Sequence, residues 1–128
     1  MRILLDTHAL LWFRQGSAQL SASARGAIED SSIDLLLSVA SLWEMAIKVN
    51  LGKLDLGTAY ADYVQKCLAE SDIAVLQAQP EHLNVLSELP HHHRDPFDRL
   101  MVAQCLSEGI SIVSADPVFE AYGVARIW

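Results

Sequence analysis

Residues 2–13 read Arg2-Ile-Leu-Leu-Asp6-Thr-His8-Ala-Leu-Leu-Trp-Phe13. A short apolar run closed by an acid suits a strand buried on both faces. From His8 to Phe13 nearly every position is apolar, which reads as the start of a helix. A buried strand passing through one acid into a helix is the repeating unit of an α/β fold.

Working outward, the same unit recurs. Ile33 to Val39 is a second apolar run, interrupted only by Asp34 and Ser38. Ser41 to Leu51 follows, with Leu42, Met45, Ala46 and Val49 at helical spacing and Gly52 as its stop. Between the two units, Ser21 to Asp30 reads as a helix capped by Ser21. Thr58 to Ala69 is helical through Tyr60, Tyr63, Val64, Cys67 and Leu68, and Ile73 to Leu76 is a third strand. A helix from Pro80 to about Leu89 leads into a polar, His-rich loop, Pro90 to Arg94. Pro96 to Glu108 is a strong helix stopped by Gly109. Ile110 to Val113 and Val124 to Ile127 are the fourth and fifth strand candidates. Strands alternating with helices predict an α/β fold with a largely parallel sheet. With no internal repeat and no linker, residues 1–128 read as a single domain.

Composition bounds the function. The chain has 128 residues, 52% hydrophobic and 20% charged. One domain of this size buries roughly two thirds of its unfolded surface, and intrinsic disorder is excluded. The formal net charge is −7, so the excess of Lys and Arg that marks most nucleic-acid binders is absent. Contact with RNA or DNA must then be local, or work through cations held in an acidic pocket. Cys67 and Cys105 lie in apolar helical stretches and read as small core residues, not a disulfide framework. There is no signal-peptide pattern and no apolar run near the ~20 residues of a membrane span. The expectation is a cytoplasmic protein.

In parallel sheets, ligands bind beyond the carboxyl ends of the strands. Four acids fall there. Asp6 follows the first strand, Glu44 lies early in the helix after the second, Asp98 opens the helix before the fourth, and Asp116 follows the fourth. Each also has a plain structural role open to it. Asp6 and Asp116 could cap the turns that follow them. Ser41-Leu-Trp-Glu44 matches a capping box, and Glu44 to Lys48 has the spacing of a helical ion pair. In Arg94-Asp95-Pro96-Phe97-Asp98, Asp95 looks like the N-cap and Pro96 the first helical residue, leaving Asp98 as the site acid. Thr7 and Ser114 stand beside site acids, either as hydrogen-bond donors or as turn residues. Fold stability does not require four carboxylates at one edge, where they repel. Mg²⁺ or Mn²⁺, which prefer oxygen ligands, would remove that repulsion. Carboxylates holding such ions suit phosphodiester hydrolysis.

Four motifs in order carry a family resemblance. They are Leu4-Leu-Asp6-Thr-His8, Ser38-Val-Ala-Ser41-Leu-Trp-Glu44-Met-Ala-Ile-Lys48, His93-Arg-Asp95-Pro-Phe-Asp98-Arg99-Leu-Met-Val-Ala-Gln104, and Ser114-Ala-Asp116. The chain resembles PIN-domain proteins over essentially its whole length, and among them the VapC-type ribonuclease toxins of bacterial toxin–antitoxin pairs. The resemblance implies a three-layer α/β/α sandwich. It implies Asp6, Glu44, Asp98 and Asp116 as catalytic ligands of Mg²⁺ or Mn²⁺, with Asp95 as a further candidate. It also implies RNA cleavage, a homodimer, and a cognate antitoxin whose tail occupies the acidic pocket. The expected mechanism is metal-assisted, in-line attack of water on an RNA phosphate. Arg99 and Lys48 would either touch phosphate or be solvated surface charge. A basic antitoxin segment would suit the negative chain.

Other features read more plainly. His91, His92 and His93 are consecutive on a loop, where three rings rarely face one ion, and read as a solvated loop near the site mouth. Trp12 and Trp43 read as core or dimer surface, and Trp128 as packing over the sheet edge. Two rival readings of the acids exist. Phosphoryl transfer through an Asp nucleophile wants a second Asp where His8 stands, or an Asp after the third strand and a Lys near the fifth. A non-catalytic interaction module of the same fold would use the acids only as caps.

Overall fold

A computed structural model describes residues 1–128. Five strands form one sheet: β1 (Arg2–Leu5), β2 (Asp34–Ser38), β3 (Ile73–Leu76), β4 (Ser111–Val113) and β5 (Arg126–Ile127). Their order is β3-β2-β1-β4-β5 and every pairing is parallel. The helices are α1 (Thr7–Gln15), α2 (Ala22–Glu29), α3 (Val39–Asn50), α4 (Tyr60–Glu70), α5 (Pro80–Leu86), α6 (Pro96–Glu108) and α7 (Val118–Ala121).

The near-continuous apolar strands are explained by helices on both faces. Alternate side chains of β1 enter two separate cores. Ile3 and Leu5 join Leu35, Leu37, Ile73 and Val113 beneath α1 and α2, with Tyr60 and Tyr63 of α4 packed alongside. Leu4 joins Leu36 and Ile112 beneath α6, together with Phe119 of α7. Ile3, Leu4 and Leu5 have no exposed surface, so truncating any of them to Ala costs about 2–5 kcal/mol. The result is the three-layer α/β/α sandwich. No helix is long and apolar enough to cross a membrane.

One local expectation is corrected. β2 ends at Ser38 and α3 starts at once, so Ser38 is the cap and its hydroxyl accepts from the Ala40 amide at 3.0 Å. Ser41 therefore lies inside the helix, and there is no capping box between it and Glu44. Both Ser38 and Ser41 satisfy the composition of a cap. Ser38 wins because its buried hydroxyl also donates to the Gln104 side chain on α6. The sequence carries no reading for α7, whose four residues are too short to show a period. Gly109 ends α6 as expected, in the left-handed conformation at φ 65° that costs glycine least.

Candidate metal and active site

The strand order reverses direction at β1, whose neighbours β2 and β4 are reached by opposite crossovers. Such a switch point opens a crevice at the carboxyl end of the sheet. A cavity of about 220 Å³ lies there, lined by Asp6, Glu44, Asp95, Asp98 and Asp116 with Lys48 and Trp12. The four acids named from the sequence thus line one cavity, although they come from the junction of β1 and α1, from α3, from α6 and from the turn after β4.

Asp6 stands at the N-cap position of α1 but makes no side-chain cap hydrogen bond. Its carboxylate instead accepts from the Ser114 hydroxyl at 2.7 Å. Its backbone amide donates to the Val113 carbonyl at 3.0 Å, which holds it to β4. Burial pushes its pKa above the usual carboxylate range, against the hydrogen bond from Ser114.

Glu44 is buried, 7% exposed, in the second turn of α3. Lys48 donates to it at 3.0 Å across one helical turn. Asp98 lies in the first turn of α6. Burial raises its pKa to about 7, and the charges of Asp6, Asp95, Glu44 and Asp116 add to the rise. Asp116 accepts from the Val118 amide at 3.0 Å, so it shapes the turn into α7 and faces the cavity as well. Asp95 caps α6, accepting from the amides of Phe97 at 2.8 Å and Asp98 at 3.2 Å.

The neighbouring residues sort differently from their sequence readings. Ser114 is the donor to Asp6. Thr7 is not a partner of the acids; its hydroxyl donates to Ser41 at 2.8 Å and ties α1 to α3. Arg99 is neither a solvated charge nor free to reach a ligand. Its guanidinium donates to the carbonyls of Leu89, Pro90 and His93 and to the Tyr122 hydroxyl, buckling the His-rich loop onto α6. Trp12 is half-buried at the cavity wall, stacked between His8 and Trp128. Trp43 is 62% exposed, with its ring edge-on to Phe97.

His93 was missed as a site residue. Its Nε2 lies 3.0 Å from Asp98 Oδ2 and 3.6 Å from Asp116 Oδ2. Ligand atoms of His93, Asp98 and Asp116 all fall within 4.8 Å of one another. Its Nδ1 accepts from the Asp95 amide at 3.0 Å. The proton of a neutral ring therefore sits on Nε2, the nitrogen that lies beside the Asp98 carboxylate. In this tautomer Nε2 carries a hydrogen and is not itself a metal ligand. The signal was its place two residues before the α6 cap, which periodicity cannot register.

Within one water-accessible cavity, then, several carboxylates converge, and Lys48 is the only Lys or Arg lining it. Their oxygens form a hard donor set that fits Mg²⁺ or Mn²⁺ and not a soft metal.

Fold and cleft together define a parallel α/β/α protein with an acid-lined pocket at the switch point of its sheet. The sequence matches the PIN domain family over residues 3–125, and the chain belongs to that family. No curated protein matches it by sequence. Among solved structures it is similar to VapBC2 from Rickettsia felis, bound to a DNA fragment from its promoter. That likeness has a TM-score of 0.74 at 12% identity, covering 98% of this chain and 97% of the other. It is also similar to FitAcB from Neisseria gonorrhoeae, with a TM-score of 0.63 at 17% identity, covering 97% and 95%. A structure of FitAB bound to the IR36 DNA fragment gives 0.63 at 16%, covering 97% and 92%.

Proposed function

We propose that this chain is a VapC-type endoribonuclease, the toxin of a toxin–antitoxin pair, which hydrolyses RNA phosphodiesters with Mg²⁺ or Mn²⁺. The observation that carries this reading is the convergence of Asp6, Glu44, Asp98 and Asp116 on one cavity, where Asp98 is pushed up to about 7. A cation is the simplest means of relieving that repulsion. The similar structures, VapBC2 and FitAB, are two-component complexes on DNA. They support a cognate antitoxin as partner, and a cytoplasmic homodimer is part of the same reading.

Asp6, Asp98 and Asp116 would hold the ion, with Glu44 as ligand to a second ion or as the group that orients water. When bound, the ion supplies a lowered pKa for water and offsets charge on the phosphate. The chain's residues do the rest. Ser114 fixes which oxygen of Asp6 is free. His93 Nε2 stands 3.0 Å from Asp98 Oδ2, beside the carboxylate. Lys48 donates to Glu44 and directs its carboxylate. Water adds in line to the phosphorus while the opposite P–O bond breaks and the leaving oxygen takes a proton.

Cleavage of a labelled RNA with Mn²⁺ present tests the reading, comparing wild type with Asp98→Asn. The wild type should cut RNA and the variant should not. Equal cutting removes Asp98 from the site. A wild type that cuts no RNA, and gains no thermal stability from Mn²⁺, supports a non-catalytic interaction module instead.

A further inference from the structure

The chain carries nine Lys and Arg residues. Six pair with carboxylates: Arg2, Arg14, Arg25, Lys48, Lys66 and Arg126. The three without an acidic partner are Lys53, Arg94 and Arg99, and two of these line the same cavity. That cavity, about 390 Å³, is walled by Leu86, His91, His93, Arg94, Pro96 and Arg99. No acid lines it. In a protein of net charge −7, this is a local pocket of the opposite sign.

Its position matters as much as its charge. His93 is one of its lining residues, and its Nε2 lies 3.0 Å from Asp98 and 3.6 Å from Asp116. The cationic cavity thus lies beside the acids, with His93 in contact range of both. Arg99 is held by three carbonyls and the Tyr122 hydroxyl, so it supplies a fixed positive charge at the wall. Tyr122 accepts from the His92 and His93 amides at 3.0 and 2.9 Å, which fixes the loop that presents His91. Arg94 and His91 are exposed and free to close on a ligand.

We propose that this cavity binds a non-scissile phosphate of the RNA strand, the one next to the phosphate under attack, with Arg94 and His91 as its direct donors. The proposal rests on the ribonuclease reading for the identity of the strand. A strand whose reacting phosphate sits over the acids reaches this cavity by passing His93, which lies 3.0 Å from Asp98. Arg suits that role because its fork donates to two phosphate oxygens at once. The arrangement also answers a difficulty of composition: an acidic protein can hold RNA if its few unpaired cations stand beside the cleft.

The test combines steady-state cleavage of a labelled single-stranded RNA with NMR titration of inorganic phosphate into metal-free protein. Arg94→Ala should raise KM roughly three- to tenfold and leave kcat within about twofold. The salt slope of log(kcat/KM) should become shallower by about 0.7, the value of one lost contact on a single strand. Arg94→Lys should recover part of the loss, and Lys53→Ala should change nothing. Phosphate should shift the His91 and Arg94 signals in wild type, and the His91 shift should disappear in Arg94→Ala. If wild type cuts RNA but Arg94→Ala has the same KM and salt slope, the subsite is wrong and the nuclease reading survives. If RNA is not cut yet phosphate shifts His91 through Arg94, the nuclease reading fails and the oxyanion pocket stands. Displacement of phosphate by an acidic peptide but not by RNA would overturn the RNA assignment.

Discussion

The two ends of the sheet treat their acids in opposite ways. At the amino end, beside the starts of β2 and β3, a cavity of about 320 Å³ is lined by Glu29, Asp30, Glu70 and Asp72. Glu70 bonds to Arg14, and Lys66 lies 4.0 Å from it. Glu29 lies 3.7 Å from Arg25. Asp30 accepts from the amide and hydroxyl of Ser32. Nearby, Glu108 faces His82 and Arg2. The pKa values of Glu70, Asp30 and Glu108 are all lowered, chiefly by hydrogen bonds from Arg14, Ser32 and His82 respectively. At the carboxyl end, Asp6 and Asp98 are both raised, chiefly by burial. Three of the four acids of the amino-end cavity, Glu29, Asp30 and Glu70, come with their partners. Those of the cleft are gathered with too few, and that is the reason to read them as ligands.

The largest effect expected from this contrast is on activity. Asp6→Asn or Asp98→Asn should reduce RNA cleavage at least about 100-fold, whereas Glu70→Gln at the other end should leave cleavage intact and only lower Tm. Loss of activity from Glu70→Gln would break the comparison. A smaller effect is expected from Ser114→Ala, which removes the donor to Asp6. Mn²⁺ affinity should fall roughly 10- to 100-fold, as for other groups that orient a ligand, while the fold persists.

The ends should also respond oppositely to pH. Asp98 titrates near 7 in the fold and near the usual 3.8 when unfolded. The folded state therefore holds the extra proton between these values, and stability of the metal-free protein falls as pH rises through that window, by at most roughly 1.4 kcal/mol per pH unit. Asp98→Asn should flatten this decline. Glu70, Asp30 and Glu108 are lowered, so their contribution is present above the ordinary carboxylate range and is lost as pH falls below it. Thermal unfolding from pH 3 to 8 checks both signs. The smallest effect belongs to Asp95→Asn. Asn also caps helices well, so the cost is about 0–1 kcal/mol, and cutting should persist. Complete loss of cutting in a folded Asp95→Asn protein would make Asp95 a ligand.

Much of this was legible in the sequence because strand ends and helix starts leave local marks. Asp6 closes an apolar run, and Asp98 follows a Pro at the first helical position. Those marks place each acid at the carboxyl edge without any knowledge of contacts. What escaped depends on distant pairings. Ser114 meets Asp6 across 108 positions. Arg99 seemed surface charge until the carbonyls of residues 89–93 folded around it. His93 lies on a loop without periodicity, and only the turn before α6 aims its ring at Asp98. The start of α3 was misplaced because two serines offered the same cap, and only the buried partner Gln104 selects Ser38.

The central claim is that the cleft acids form one divalent-cation site. Calorimetric titration of Mn²⁺ at pH 6, in two buffers of different ionisation enthalpy, tests it most directly. Binding should be saturable, should release protons as Asp98 gives up its own, and should weaken sharply in both Asp6→Asn and Asp98→Asn. Absence of binding, or binding that both variants retain unchanged, would contradict it.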